Sequence, residues 1–161
     1  MARHKILISA CLVGEPVRYH GGDSRVDHVL LRQWHAEGRL VPLCPEVAGG
    51  LSTPRPAAEI TTLASGRRVL TAAGQDVTDA YVRGAEAAVA TCATSHIRVA
   101  ILKDRSPSCG SHCVHDGTFS GNTVDGHGIT TARLRSEGVR VFSESEIEAA
   151  ARYLDLLDIQ V

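Results

Sequence analysis

The sequence has few aromatic residues and almost no net charge. Its two Phe, one Trp and three Tyr make up 4% of 161 residues, so the core must be built mainly from aliphatic side chains. The formal net charge of -1 gives no reason to expect a phosphate backbone as partner. No apolar run approaches the roughly 20 residues that a membrane-spanning helix needs. These features argue against a membrane-spanning protein and make nucleic acid an unlikely partner.

The length and the cysteine count are more informative. A chain of 161 residues is long enough to bury a core, and we expect residues 1–161 to form one domain. Its five cysteines are an odd number in a chain of a size that does not need disulfides. We therefore expect reduced thiols in the cytoplasm, with a metal-binding or catalytic role for some of them.

Apolar runs alternate with segments of helical spacing. Asp27 and Gly38 are the predicted N-cap and end of the first helix, and Ser143 is predicted to begin the last one. The alternation predicts an α/β fold of three layers with a mainly parallel sheet. Strands are predicted at 5–11, 40–43, 99–102 and 139–142, and helices at 26–37, 79–94 and 129–137.

Two further segments are harder to assign. Residues 67–71 indicate an edge strand or a hairpin. The Gly-, Ser- and His-rich segment 103–128 is too long for a passive connector, so it is either functional or contains a small hairpin of its own.

The stretch 43–56 is a candidate site. Its prolines and its Gly-Gly pair break helix and strand patterns, which predicts a stiff loop. The loop brings together a thiol, a carboxylate and a guanidinium, those of Cys44, Glu46 and Arg55. Stiff loops with such side chains are frequent sites of function.

Three cysteines follow predicted strands. Cys11 and Cys44 end the first two strands, and Cys109 comes a few residues after the third. Because ligands bind at the carboxyl ends of parallel strands, the three thiols could converge in one crevice. Each is followed by Gly, Pro or a turn, which favours an exposed thiolate; the alternative is a small buried apolar side chain. Converging thiolates suit either zinc or an iron–sulfur cluster.

The other two cysteines are weaker candidates for metal ligands. Cys92 lies on the apolar face of the helix predicted at 79–94 and is assigned to the core. Cys113 stands four residues after Cys109, where it is either a fourth ligand or a loop thiol without a role.

Seven short motifs are spread along the chain. They are SACLVG at 9–14, VRY at 17–19, CPEV at 44–47, GGL at 49–51, TPRP at 53–56, Lys103 with SPSCG at 106–110, and DGTFSG at 116–121. Taken together they resemble one bacterial family, the domain family that includes thiouracil desulfurase. The resemblance covers nearly the whole chain, although His20 stands where the family often has Asp.

The resemblance implies a Rossmann-like fold and a [4Fe-4S] cluster held by Cys11, Cys44 and Cys109. The fourth iron would be open and would bind the sulfur of a thiolated nucleobase such as 2-thiouracil, which is converted to uracil and sulfide. Glu46 and Ser106 match the family's acid–base and hydroxyl positions. The family has no fixed cysteine at Cys113, so this residue is excluded from the ligands.

The chemistry of the residues agrees with this assignment but leaves alternatives. A carboxylate two residues from a ligand can serve general acid–base catalysis, although Glu46 could also be an ordinary surface residue. Ser106 precedes a proline and could simply bind backbone in a turn. Cationic side chains at Arg18, Arg55 and Lys103 could orient a substrate carbonyl, screen cluster charge, or merely be solvated.

Two rival functions remain open at this point. One is a zinc hydrolase that uses the same three cysteines and an open fourth position. The other is a cluster protein without enzymatic activity, acting as a redox sensor or a sulfur carrier. The histidines at 112, 115 and 127 do not follow a standard metal-binding spacing.

Overall fold

The computed structural model describes residues 3–160, and in it strands alternate with helices. None of the helices in this range is both long and apolar enough to cross a membrane. A 3₁₀ turn spans Ala10–Val13. The strands are β1 (Ile6–Ser9), β2 (Leu40–Leu43), β3 (Ala58–Leu63), β4 (Gly66–Thr71), β5 (Val99–Leu102), β6 (Cys113–His115), β7 (Thr123–Asp125) and β8 (Arg140–Ser143), and the helices are α1 (Val29–Ala36), α2 (Pro45–Ala48), α3 (Thr78–Thr94), α4 (Ile129–Ser136) and α5 (Ile147–Ile159).

The central sheet has four parallel strands in the order β2-β1-β5-β8. Strand β1 lies inside it, with Ile6 paired to Leu40 on one side and to Val99 on the other. Both β1 and β5 are buried along their whole length, as their unbroken apolar sequences indicate. The mainly parallel α/β fold predicted from the sequence is confirmed.

Helices cover both faces of this sheet and make three layers. Alternate side chains of β1 point to opposite faces, so Ile8 packs in one cluster with Trp34 of α1 and Leu154 of α5. Leu7 packs in the other cluster with Leu134 of α4 and with side chains of α3. Aliphatic side chains fill most of both clusters, in keeping with the scarcity of aromatics.

Two small antiparallel hairpins lie outside the central sheet. Strands β3 and β4 form the first, so the hairpin alternative for residues 67–71 is correct. Strands β6 and β7 form the second, inside the long segment 103–128. Helix α2 was not predicted, because its single turn begins at Pro45 inside a stretch read as loop.

The first helix begins later than predicted. It starts at Val29, and the N-cap is His28, whose Nδ1 accepts a hydrogen bond from the Leu30 amide at 3.1 Å. The predicted cap, Asp27, therefore lies outside the helix. Gly38 has a φ of +69°, which fits its predicted role at the end of the helix.

The last helix also begins later than predicted. Ser143 is the final residue of β8, and α5 starts at Ile147. The capping-box chemistry is nevertheless present, because Glu146 Oε1 accepts a hydrogen bond from the Ser143 amide at 2.9 Å. The motif closes the turn between strand and helix rather than the first turn of the helix itself.

Helices α2 and α3 approach each other closely enough for their backbones to touch. A side chain at Gly84 would overlap the carbonyl oxygen of Pro45, and one at Gly49 would overlap the carbonyl oxygen of Ala80. The two glycines therefore permit the contact that fixes α2, and with it the residues on either side of Pro45.

Gly84→Ala tests this contact. Alanine in a helix normally stabilises by about 0.5–1 kcal/mol relative to glycine. Here we expect the opposite sign, a loss of roughly 1–3 kcal/mol, because the methyl group must push α2 away. Urea unfolding of the variant measures the change.

The matched control is Gly126→Ala, where the added methyl meets only Val114 Cγ2 at 3.5 Å. This substitution should leave the unfolding midpoint nearly unchanged. A Gly84→Ala variant as stable as the wild type would show that the helices do not need the close approach.

Candidate active site

A cavity of about 500 Å³ opens at the carboxyl ends of the central strands. The chain runs from β1 to β2 on one side and later to β5 on the other, so this is where the strand order reverses. Such switch points are the usual ligand sites of open α/β sheets. All five residues predicted for the site line the cavity: Cys11, Cys44, Glu46, Ser106 and Cys109.

The first two cysteines follow their strands directly. Cys11 lies in the 3₁₀ turn after β1 and is 8% exposed. Cys44 follows β2 and is the N-cap residue of α2, and its Sγ lies 3.9 Å from the Val17 carbonyl oxygen. The sheet therefore carries both thiols to the cavity.

The third cysteine depends on a folded loop rather than on a strand end. The Ser106 hydroxyl oxygen accepts hydrogen bonds from the amides of Ser108 at 3.1 Å and Cys109 at 2.7 Å. On the far side, Thr131 Oγ1 donates to the Cys109 carbonyl at 2.9 Å, and the missing side chain of Gly128 lets α4 meet the loop. Cys109 is thereby held at 5% exposure.

Cys11 and Cys109 are buried, so the expectation of exposed thiolates is wrong for these two, while Cys44 is half-buried. Burial raises the pKa of Cys11 to about 11, and the charge of Cys44 adds to the rise while that of Arg18 opposes it. Burial likewise raises the pKa of Cys44, and it raises the pKa of Cys109 to about 12. Without a metal the three side chains are neutral thiols near pH 7, and a metal centre must displace their protons.

The donor set fits an iron–sulfur cluster better than a single ion. Within residues 3–160, no three Cys, His, Asp or Glu side chains come close enough to hold one metal ion. Zinc needs its thiolates within about 2.3 Å of one centre. A four-iron cluster takes each thiolate on a different iron and so accepts cysteines that stand farther apart. All three cavity thiols are free.

Arg55 holds Glu46 in the cavity wall. Its Nε and Nη2 both donate to Glu46 Oε2, at 2.9 and 2.6 Å. Nη2 also donates to the Val17 carbonyl, and Nη1 donates to the Ser52 carbonyl and the Thr53 hydroxyl. All five guanidinium N–H donors are therefore used within the protein. The Arg55 side chain is 5% exposed and has no donor left to orient a substrate.

Tyr81 is a site residue that the sequence did not reveal. Its position in the sequence is that of an apolar-face residue of α3, and it is indeed 3% exposed, but it lines the cavity. Burial raises the pKa of its phenol, and the nearby charge of Glu46 raises it further. The available signal was general: a buried tyrosine usually places its hydroxyl on a polar partner.

Ser106 combines the two roles considered for it. Its oxygen binds two backbone amides, as expected of a turn residue, and it also lines the cavity. A hydroxyl has two lone pairs and one proton. Because both lone pairs are occupied, its remaining capacity is to donate a hydrogen bond.

Lys103 and His115 also line the cavity, and they differ in whether their polar atoms have partners. Lys103 pairs with Glu144 at 2.9 Å at the cavity edge. His115 lines the cavity, and its Nδ1 is buried with no hydrogen-bond partner within residues 3–160.

The two other cysteines lie outside the cavity lining. Cys92 is 4% exposed in the core cluster, as expected, and Cys113 is the first residue of β6.

Comparisons with known proteins agree with this geometry. A family described as 2-thiouracil desulfurase matches residues 6–146. The Bacillus subtilis (strain 168) protein called "Uncharacterized protein YbbK" is 40% identical over 148 residues, covering 88% of this chain and 97% of its own. The solved structure of a [4Fe-4S]-dependent thiouracil desulfidase, TudS, is 47% identical with a TM-score of 0.92, covering 96% of this chain and 99% of that one.

Arg55→Lys tests whether the buried network depends on the guanidinium. Lysine keeps the charge, but its three donors cannot reach the four groups that Arg55 binds. We expect the variant to lose about 1–3 kcal/mol of unfolding free energy, because the part-buried Glu46 carboxylate and Val17 carbonyl lose hydrogen bonds. Urea unfolding measures this loss.

The same substitution at Arg68 is the control. Its pair with Asp76 is long, at 3.7 Å, and both side chains are more than 40% exposed. Arg68→Lys should therefore change stability little. Equal effects at the two positions would contradict the role given to Arg55.

Proposed function

The chain belongs to the 2-thiouracil desulfurase family, and we propose that Cys11, Cys44 and Cys109 hold the [4Fe-4S] cluster with which it removes sulfur from a thiolated nucleobase. The observation that carries this assignment is the convergence of three free thiols and a carboxylate in one cavity at the switch point of the sheet. The enzyme is an iron–sulfur-dependent thiouracil desulfurase.

The reaction is a hydrolysis and needs no external electrons. The oxygen of water becomes the new carbonyl oxygen of the base, and both hydrogens of water leave with the sulfur as sulfide. The chemistry that the cluster supplies when bound is a soft, Lewis-acidic iron without a protein thiolate of its own, suited to the sulfur of the substrate. Binding and proton transfer are the tasks of the protein.

Glu46 is the proposed proton carrier. Arg55 engages only its Oε2, so Oε1 retains capacity to accept a proton from the attacking water. The two hydrogen bonds from Arg55 fix the carboxylate in place, so that it meets the water in one orientation. A fixed general base reduces the entropy lost on reaching the transition state.

Ser106 is the proposed hydrogen-bond donor. Its oxygen is saturated by the amides of Ser108 and Cys109, so its proton is free to point at the substrate. A donor at this position would stabilise the negative charge that develops on the nucleobase as water adds. Arg18, which lies close enough to Cys11 to lower the pKa of that thiol, would offset negative charge at the metal centre.

We place this activity in one domain, residues 1–161, acting on a free small molecule in the cytoplasm. The five free cysteines suit a reducing compartment. The net charge of -1 does not suit a nucleic-acid partner.

Serine substitutions of the five cysteines test the ligand set. After anaerobic reconstitution, Cys11→Ser, Cys44→Ser and Cys109→Ser should each lose the cluster and turnover, since a site with three ligands has no spare. Cys92→Ser and Cys113→Ser should keep both, and Cys92→Ser should lose about 1–3 kcal/mol of stability by burying a hydroxyl. Iron and sulfide counts decide the outcome.

Three results would point elsewhere. A cluster-free Cys113→Ser would put that residue among the ligands. A colourless protein with stoichiometric zinc would favour the hydrolase alternative. A fully loaded protein that leaves thiolated pyrimidines and purines unchanged would be a sensor or a sulfur carrier.

Glu46→Gln separates chemistry from assembly. Glutamine keeps the size of the side chain and can still accept from Arg55, so the iron content should stay near wild type. Turnover of 2-thiouracil should fall by about 10²–10⁴-fold, the usual effect of removing a general acid–base group. An unchanged rate would make Glu46 a bystander, and loss of iron would make it part of the metal site.

A further inference from the structure

The scarce aromatic residues of this chain are concentrated at the cavity. Three of them line it, namely Tyr19, Tyr81 and Phe119. Tyr81 is buried against Glu46, but Tyr19 is 42% exposed and Phe119 is 37% exposed. Two exposed rings in a chain with only 4% aromatics require an explanation.

The loop that carries Phe119 is fixed in an unusual conformation. Phe119 has a φ of +57°, which is rare for a bulky residue and is often found where a ligand is clamped. Glu59, only 8% exposed, accepts hydrogen bonds on one oxygen from the amides of Gly117 at 3.0 Å and Phe119 at 3.1 Å. The carboxylate of Glu59, on β3, thus fixes the backbone of Phe119.

The backbone of Tyr19 is also fixed by hydrogen bonds, here from Arg55. Its carbonyl accepts the Arg55 amide at 2.7 Å, and the Arg55 side chain binds the Val17 carbonyl. The His20 ring packs edge-on against the Tyr19 ring, with centroids 4.9 Å apart. Both exposed rings are therefore carried by loops that are fixed before any ligand arrives.

We propose that Tyr19 and Phe119 are the walls on which the flat conjugated ring of the substrate stacks, and that Glu59 is the residue that positions Phe119. This inference rests on the proposed function and adds the basis of its specificity. Stacking on aromatic side chains accepts any planar heterocycle but discriminates against a puckered, saturated one. The walls thus select for planarity, independently of the sulfur atom.

The test compares the product, uracil, with 5,6-dihydrouracil, which has the same amide groups but lacks the conjugated ring. Dissociation constants are measured calorimetrically on the cluster-loaded protein and again on the cluster-free protein. The wild type should prefer uracil. Phe119→Ala should weaken uracil binding by about 5- to 100-fold, the range of one stacking contact, and dihydrouracil binding by less than about twofold. Phe119→Leu should fall between.

Val124→Ala is the matched control, because Val124 is an exposed apolar residue of the same small hairpin but does not line the cavity. It should leave both dissociation constants and the iron content unchanged. Tyr19→Leu should repeat the selective loss seen with Phe119→Leu.

Glu59 is tested through Phe119. Glu59→Gln retains an oxygen for the two amides and should keep most of the preference for uracil, whereas Glu59→Ala should lose it as Phe119→Ala does. In the Phe119→Ala background, Glu59→Ala should have little further effect on uracil binding. A Glu59→Ala loss that persists in that background would show that Glu59 acts by another route.

The stacking walls and the proposed function are tested by different outcomes. A wild type that binds uracil no better than dihydrouracil, or a Phe119→Ala variant that loses both equally, overturns the stacking walls even if 2-thiouracil is turned over. A protein that prefers the planar ring in this way but does not release sulfide from 2-thiouracil keeps the walls and overturns the proposed function.

Discussion

The buried guanidinium of Arg55 joins the segments from which the site is made. It binds Glu46 on α2, the Val17 carbonyl next to the Arg18 and Tyr19 positions, and two groups of its own loop. A buried ion pair of this kind is costly to desolvate and is tolerated only when its hydrogen bonds are complete. Since all five donors are used, the network favours one arrangement of α2, the loop around Val17 and the loop that follows α2 over any other.

A second constraint is the burial of the thiols. The sheet and the Ser106 turn bring three sulfur atoms into a wall that water reaches poorly, and the pKa of each thiol rises as a result. Thiolates in such a place are stable only when a metal centre compensates their charge. The same burial that keeps the cysteines as neutral thiols without a metal would hold the thiolates of a cluster in a preorganised place for chemistry on a small ring.

The sequence predicted the features that depend on local pattern. Cys11 and Cys44 directly follow apolar strands, so their place at the carboxyl edge follows from the α/β fold itself. Interactions between distant positions could not be read in this way. The hydrogen bond from the Phe119 amide to Glu59 joins residues that are 60 positions apart. Tyr81, which lies near Glu46, has the sequence position of an apolar residue of α3. The exposure of the thiols was misjudged because turn residues describe the backbone and not the layers packed over it.

Isotope transfer from water tests the central claim of a hydrolytic desulfuration most directly. The loaded enzyme is given 2-thiouracil in H₂¹⁸O under anaerobic conditions without any reductant, and the uracil is analysed by mass spectrometry beside unlabelled uracil incubated in the same way. Hydrolysis predicts one ¹⁸O in each uracil formed and one sulfide released with it. Uracil without the label, or turnover that occurs only when electrons are supplied, would contradict the account.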